Sequence, residues 1–528
     1  RTPKLVVLVV FDQMKADYLV KWDHLFEEGG FKRLKSEGAW FANCHYPYAY
    51  TLTGPGHASI ATGGSPKDHG IVANEWFDRR DGDVNCVDLP QGRRGKDKGP
   101  LRRKQESFAD AILRSRKGSR VFALSIKDRA AILLGALRNQ LCVWLDSKKG
   151  RFVTSDYYAP SPPRWLEAFN EDRAHGADRW IGKQWDRLLS DASIYEKNAG
   201  PDDVFGEGWG FNQGRTFPHP FLPDEKIGME GYYEATVNSP AAGELLLDLT
   251  LQAIDAEKIG RGRGTDVLLL GFSNNDYVGH CWGPDSQEVL DVTLASDRIV
   301  RKLLDALDAK VGKGNYVFAV TADHGVCRIP EIVTKEGGKA GRVEPELFNK
   351  KAETFLNEKF GKAPWVERTD KTNMWVYLNP KTIQEMKRYS GEVEKAVADW
   401  LIQDPRILAA YTKTQLASGT LDDLGEKVRL SYNPEGAGDV MAVLKPNFIL
   451  SGPIAKKQKT IDNFRATHGS PHPYDTHVPF LVMGAGAPPG RHDEPITPHA
   501  MAATLAGLAR VPAPRGAIDK APRSLCLD

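Results

Sequence analysis

The sequence predicts an α/β fold with a mostly parallel central sheet flanked by helices and with inserted cap regions. Three observations carry this. Five short apolar runs, residues 5–11, 121–126, 267–272, 316–321 and 480–483, have strand length and lack clean alternation, as strands buried on both faces do. Helical patterns lie between several of them, at residues 105–116, 242–258 and 289–309. Polar and charged groups follow the first four runs within two residues.

Taken in order, the run at 5–11 ends in Asp12 and the run at 121–126 in Lys127-Asp128-Arg129. The run at 267–272 leads into Ser273-Asn274-Asn275-Asp276, and that at 316–321 into Ala322-Asp323-His324. Open α/β sheets bind ligands in the crevice beyond the carboxyl ends of their strands. Aspartates also form turns and caps at such places, but that accounts poorly for all of these positions together with the histidines.

Two long tracts separate the core runs. Residues 150–240 are rich in Trp, Tyr, Pro and Gly, and are expected as an insertion. Residues 329–466 carry a helix pattern (382–403) and strand-like pieces (374–378, 439–444), and are expected as a smaller inserted α/β cap. The catalytic core is then 1–328 with 467–528.

Composition narrows the function classes. With 71 basic and 69 acidic residues the net charge is +2, which gives no reason to expect nucleic acid or an anionic membrane as partner. The basic run at 93–104 reads as a solvated loop. No apolar stretch approaches the roughly 20 residues needed to span a bilayer. Six widely spaced cysteines contain no CxxC metal motif; their even number permits disulfides, and the reading leans towards an oxidising compartment. A removed targeting peptide and a periplasmic or secreted location are expected, and a monomer is favoured.

Zinc takes His nitrogen and carboxylate oxygen. Asp276 and His280, four residues apart, fall on one side of a helical turn. Asp323 and His324, adjacent and just past a strand, can serve one ion or straddle two. A third histidine source is His468-Gly469-Ser470-Pro471-His472, with His477 nearby. With Asp12 these pairs point to a two-metal site, which suits in-line displacement at phosphorus.

The segment Tyr50-Thr51-Leu52-Thr53-Gly54-Pro55-Gly56-His57-Ala58-Ser59 predicts a helix beginning around Pro55. A Thr53 hydroxyl just before that start lies over the positive end of the helix dipole, where an alkoxide and phosphate oxygens are both stabilised. The competing reading is that Thr53 is an ordinary N-cap.

The ordered set Phe11-Asp12-Gln13, the Thr-Leu-Thr-Gly-Pro-Gly-His-Ala segment, Asn74, Asp276-x-x-x-His280, Asp323-His324-Gly325 and His468-Gly469 resembles the alkaline phosphatase superfamily. Within it the chain is similar to the Thr-nucleophile bacterial alkaline phosphatases of the PhoK/PafA type, which resemble nucleotide pyrophosphatase/phosphodiesterases in turn. The resemblance implies two zinc ions per chain, one held by Asp276, His280 and His468, the other by Asp12, Asp323, His324 and the Thr53 oxygen. It favours His468 over His472 and His477, because the family places this ligand in a His-Gly pair. It implies that Asn74, Lys127 and Arg129 contact the non-bridging phosphoryl oxygens, and that phosphate monoesters are hydrolysed with broad specificity through a phosphothreonine. A monoester dianion carries one more charged oxygen than a diester, so two added cations reward it selectively. The alternative is a nucleotide pyrophosphatase/phosphodiesterase. A sulfatase lacks support, since Thr-Gly-Pro-Gly-His stands where a Cys/Ser-x-Pro-x-Arg setting is needed.

Overall fold

A computed structural model describes residues 2–92, 97–368, 372–452 and 464–525. The central sheet contains β1 (Leu5–Phe11), β2 (Ala39–Phe41), β3 (Val121–Ser125), β4 (Gln140–Asp146), β5 (Arg151–Val153), β6 (Asp266–Phe272), β7 (Tyr316–Thr321), β8 (Phe480–Gly484) and β9 (Gly490–His492). Their spatial order is β9-β2-β8-β7-β1-β6-β3-β4-β5. The run β7-β1-β6-β3-β4 is parallel throughout. All seven residues of β1 are buried, as a strand covered on both faces requires. All five apolar runs are strands of this sheet. The last, β8, runs antiparallel to β7. The sequence reading did not single out β4, which pairs in parallel with β3.

The parallel register builds the functional edge. Leu5 faces Asp266 and Phe11 faces Phe272, Val10 faces Thr321, and Gly271 faces Ser125. Continued by one or two residues, this places Asp12, Lys127, Ser273 and Asp323 at one level beyond the strand ends. The helices that matter are α1 (Thr53–Thr62), α2 (Phe108–Ser115), α3 (Asp128–Leu134), α4 (Pro240–Ala256), α5 (Asn274–Trp282) and α6 (Gln287–Lys310). α3 and α5 start directly after β3 and β6, so their first turns stand at that edge.

Within 329–466 a separate sheet joins strands Val366–Arg368, Trp375–Leu378, Val440–Leu444 and Ile407–Thr412. Strand alternation divides its side chains. Val376, Leu378, Val440, Ala442 and Leu444 belong to a small core of their own, whereas Trp375, Tyr377, Met441 and Val443 join the main core. This sheet therefore packs onto the main core through one of its faces.

Two expectations are corrected. The helix expected over 382–403 is two helices, Pro380–Glu385 and Ser390–Leu401, because Lys387 takes a left-handed φ of 52° that ends the first. The basic run is no solvated loop where described: Arg103 is buried and donates to the Leu133 and Gly135 carbonyls, and Arg102 pairs with Asp81. Residues 93–96 of that run lie outside the described residues. Cys44, Cys86, Cys142, Cys281 and Cys327 are all buried and form no disulfide among the described residues; Cys526 lies outside them. Among the described residues no helix is long and apolar enough to cross a membrane.

Candidate functional site

Helix α1 begins at Thr53, two residues earlier than expected. Pro55 is tolerated because the first-turn N–H groups have no intrahelical partners in any case. Leu52 is the N-cap and has no side-chain acceptor to offer the first turn. The Thr53 hydroxyl is thus not spent on capping; Oγ1 lies 3.3 Å from His324 Nε2.

The carboxylates and imidazoles arrive from four directions. Asp12 extends β1, its N–H donating to the Phe272 carbonyl at 3.1 Å. Asp323 and His324 follow β7 and are completely buried. Asp276 and His280 sit one turn apart on α5, with His280 Nε2 3.1 Å from Asp276 Oδ1. His468 arrives on a loop stitched down by the Arg465 and Ala466 N–H groups, both donating to the His280 carbonyl. Its ring stacks on His324 at 3.4 Å between centroids, and its Nε2 is 3.7 Å from Asp276 Oδ1. His472 and His477 lie elsewhere, each bonding a backbone carbonyl through Nε2 (Leu444 and Ala42).

All three imidazoles in the cluster share one feature. Nδ1 of His280 donates to the Ala466 carbonyl, that of His324 to Gly325, and that of His468 to Thr51, at 2.7, 2.8 and 2.7 Å. A carbonyl can only accept, so in the neutral rings Nδ1 holds the proton and Nε2 keeps its lone pair, the arrangement usual around a metal ion. Among the described residues, two groups have ligand atoms close enough for a common ion: Asp276, His324 and His468, and Asp12, Asp323 and His324. Asp12 Oδ1 and Asp323 Oδ2 are buried without a hydrogen-bond partner. Three carboxylates, three oriented imidazoles and unpartnered buried oxygens fit divalent cations of the zinc type.

The electrostatics follow from this charge density. Burial and Asp276 act to raise the Asp12 pKa, but Lys127 and His324 outweigh them and bring it down to about 2. Asp276 is also driven below its ordinary value, with burial opposed by His280 and Lys127. Asp323 is raised by burial and by Asp12. His324 is raised to about 9, its carboxylate neighbours, led by Asp323, overcoming burial. His468 is lowered by burial and by His324.

Lys127 lies 2.8 Å from Asp12 Oδ2 and 2.5 Å from Asp276 Oδ2. The ammonium thus offsets part of the charge of two buried carboxylates, which would otherwise carry a heavy desolvation cost. Arg129 has a buried Nε with no hydrogen-bond partner. Asn74 Oδ1 accepts from the Gly54 N–H at 2.7 Å, which commits its carbonyl to α1 and leaves its NH2 for another acceptor.

Thr53, Asn74, Lys127, Arg129, Asp276, His280 and His468 line one cavity of about 340 Å³. Asp12, Asp323 and His324 are buried beside it. The structure thus gathers every candidate site residue of the sequence reading. The two long tracts also contribute to the wall, with Phe211 and Asn238 from the first and Asn373, Leu450 and Phe464 from the second. Aromatic richness was the only sequence signal for these. Two buried polar residues were also missed as participants. His57 Nδ1 donates to the Thr53 carbonyl at 2.8 Å and lies 3.2 Å from Asp323 Oδ2. Gln13, next to Asp12, donates to both Asp323 and Asp276.

Residues 6–471 match the family model for type I phosphodiesterase / nucleotide pyrophosphatase. The chain is 31% identical over 529 residues to alkaline phosphatase PafA of Elizabethkingia meningoseptica, spanning 98% of this chain and 93% of that protein. It is 30% identical over 527 residues to a Myroides odoratus protein named calcium-transporting ATPase (98% and 93%) and 30% identical over 533 residues to alkaline phosphatase PhoV of Synechococcus elongatus (98% and 92%). A crystal structure of PafA matches with a TM-score of 0.88 at 29% identity, covering 99% of both chains.

Proposed function

The chain belongs to the type I phosphodiesterase / nucleotide pyrophosphatase family, and from that premise we propose that it is an alkaline phosphatase, a metal-dependent hydrolase of phosphate monoesters with Thr53 as nucleophile. One observation carries the reading: the uncapped Thr53 hydroxyl stands at a helix N-terminus, 3.3 Å from His324, among three carboxylates and three imidazoles with Nε2 lone pairs.

In this reading Asp12, Asp323, His324 and the Thr53 oxygen would hold one zinc ion, and Asp276, His280 and His468 the other. When bound, two such ions supply Lewis-acid stabilisation of the attacking and leaving oxygens. Thr53 Oγ1 forms a bond to phosphorus as the bond to the departing alcohol oxygen breaks. Water then cleaves the phosphothreonine, releasing phosphate and restoring the hydroxyl. The N-terminus of α1 favours the anionic oxygens on both sides of each step. Asn74, Lys127 and Arg129 would bind the non-bridging oxygens, and a dianionic monoester gains more from the two cations than a monoanionic diester does. Slower diester hydrolysis is expected as a side activity. A periplasmic or secreted location belongs to the same proposal and rests on the family resemblance.

The test is Thr53→Ala. Turnover of an aryl phosphate monoester should fall at least about 10³-fold, with metal content by mass spectrometry unchanged. Acid-quenched wild-type enzyme should carry phosphate on Thr53. Full activity in the variant would show that another group attacks phosphorus.

A further inference from the structure

Gln13 has a backbone conformation that its side chain does not favour. Its φ is +67°, in the left-handed region where residues other than glycine are uncommon and where strain is retained only when the surroundings hold it. It is 3% exposed. Its surroundings show what holds it. The backbone N–H donates to Asp323 Oδ1 at 3.1 Å, and the side-chain Nε2 donates to Asp276 Oδ1 at 2.6 Å. One residue therefore grips a carboxylate from each of the two candidate ligand groups. The slot for its amide is cut into α5: a Cβ on Gly279 would lie 1.7 Å from Gln13 Oε1. Glycine costs helix stability in the middle of a helix, and here it admits the amide beside Asp276.

We propose that Gln13 is a positioning residue that fixes Asp276 relative to Asp323, and so sets the geometry of the two metal sites against each other. The inference rests on the metal-dependent reading above. It makes an asymmetric claim. Asp276 is oriented by the side chain, whereas Asp323 is oriented by the main chain. A substitution at residue 13 that spares the N–H should loosen the site containing Asp276 and leave the Asp323 site alone. Glycine is the right replacement, because it adopts the same φ without strain and keeps the donor to Asp323.

The experiment is a zinc titration of the metal-stripped full-length protein against a competing chelator, with thermal melting of the same samples. Wild type should take up two zinc ions. In Gln13→Gly one of the two affinities should drop about 10- to 100-fold, the range seen when an outer-shell partner is removed, and the other should hold. Gly279→Ala, which leaves residue 13 intact and displaces its amide, should reproduce the loss at the same site even if the first variant folds poorly. The double variant should lose no more than either single one, since both remove one interaction. Unchanged affinities, equal weakening of both sites, or additive losses would each overturn the role of Gln13. A wild-type chain that takes up no zinc would instead overturn the metal-dependent reading itself, and the inference with it.

Discussion

Gly56→Ala tests how closely α1 must approach the sheet. A Cβ at Gly56 would lie 2.4 Å from the Asp323 carbonyl oxygen, 2.7 Å from Asp323 Cβ and 2.9 Å from its carbonyl carbon. Ordinary contact begins near 3.4 Å, so the overlap is about 1 Å. The atoms in the way cannot swing aside. Asp323 follows a buried parallel strand, the Ala322 carbonyl accepts from the Tyr46 hydroxyl, and Asp323 Oδ1 accepts from the Gln13 N–H. The helix must therefore move, and it carries Thr53 with it. Misplacement by about 1 Å costs on the order of 10²-fold in rate, equivalent to about 2.7 kcal/mol. Overpacking should cost about 1–3 kcal/mol of stability, offset by up to about 1 kcal/mol from better helix propensity. Steady-state kinetics on a chromogenic aryl phosphate and a melting curve would measure both. If kcat/KM stays within about twofold of wild type and the melting midpoint is unchanged, the claim that this contact sets the Thr53 position is wrong.

Lys127→Ala should reduce hydrolysis of a phosphate monoester by about 10²-fold or more and of a matched diester by clearly less; equal losses on the two substrates would remove its selective role. Stripping metal with a chelator should abolish activity, and zinc should restore it. Activity should also fall in acid, because protons compete for the imidazoles; a metal-free preparation that still turns over would contradict the model. His499 is completely buried, neither ring nitrogen has a hydrogen-bond partner among the described residues, and burial lowers its pKa to about 4. The folded chain therefore resists a proton that the unfolded chain takes up near pH 6.5. Above pH 6.5 His499 is neutral in both states and adds no pH dependence; as pH falls from 6.5 towards 4 it costs the folded state up to about 3 kcal/mol. In metal-stripped protein, urea unfolding of His499→Phe should show a shallower loss of stability over that window, with no penalty at pH 7.5; an unchanged pH slope would refute the assignment.

Much of this site was legible in the chain because its chemistry follows local periodicity. Apolar runs of strand length, each broken by Asp12, Lys127, Asn274 or Asp323 within a residue or two, mark a buried parallel sheet and its functional edge. Asp276 and His280 meet because a helix returns to the same face after four residues. The alternation inside the cap sheet is of the same local kind. Where local pattern was weak the reading slipped. No spacing announced the left-handed Lys387 that splits one expected helix into two, and charge alone did not show that Arg103 is buried against backbone carbonyls.

The sequence by itself determined which residue types stand at the strand ends and which pairs share a helix turn, since those depend on neighbours a few positions apart. Only the tertiary structure brings His468 beside His324 and Asp276 and turns the Nε2 atoms of His472 and His477 onto the Leu444 and Ala42 carbonyls instead. It alone brought Gln13 onto Asp276 and Asp323, gave His57 its place beside Asp323, and set the long tracts around Thr53. The physical reason is range: backbone periodicity is fixed within a few residues, whereas which polar atoms meet in a buried cleft depends on how distant segments pack and on which donors and acceptors that packing leaves without water.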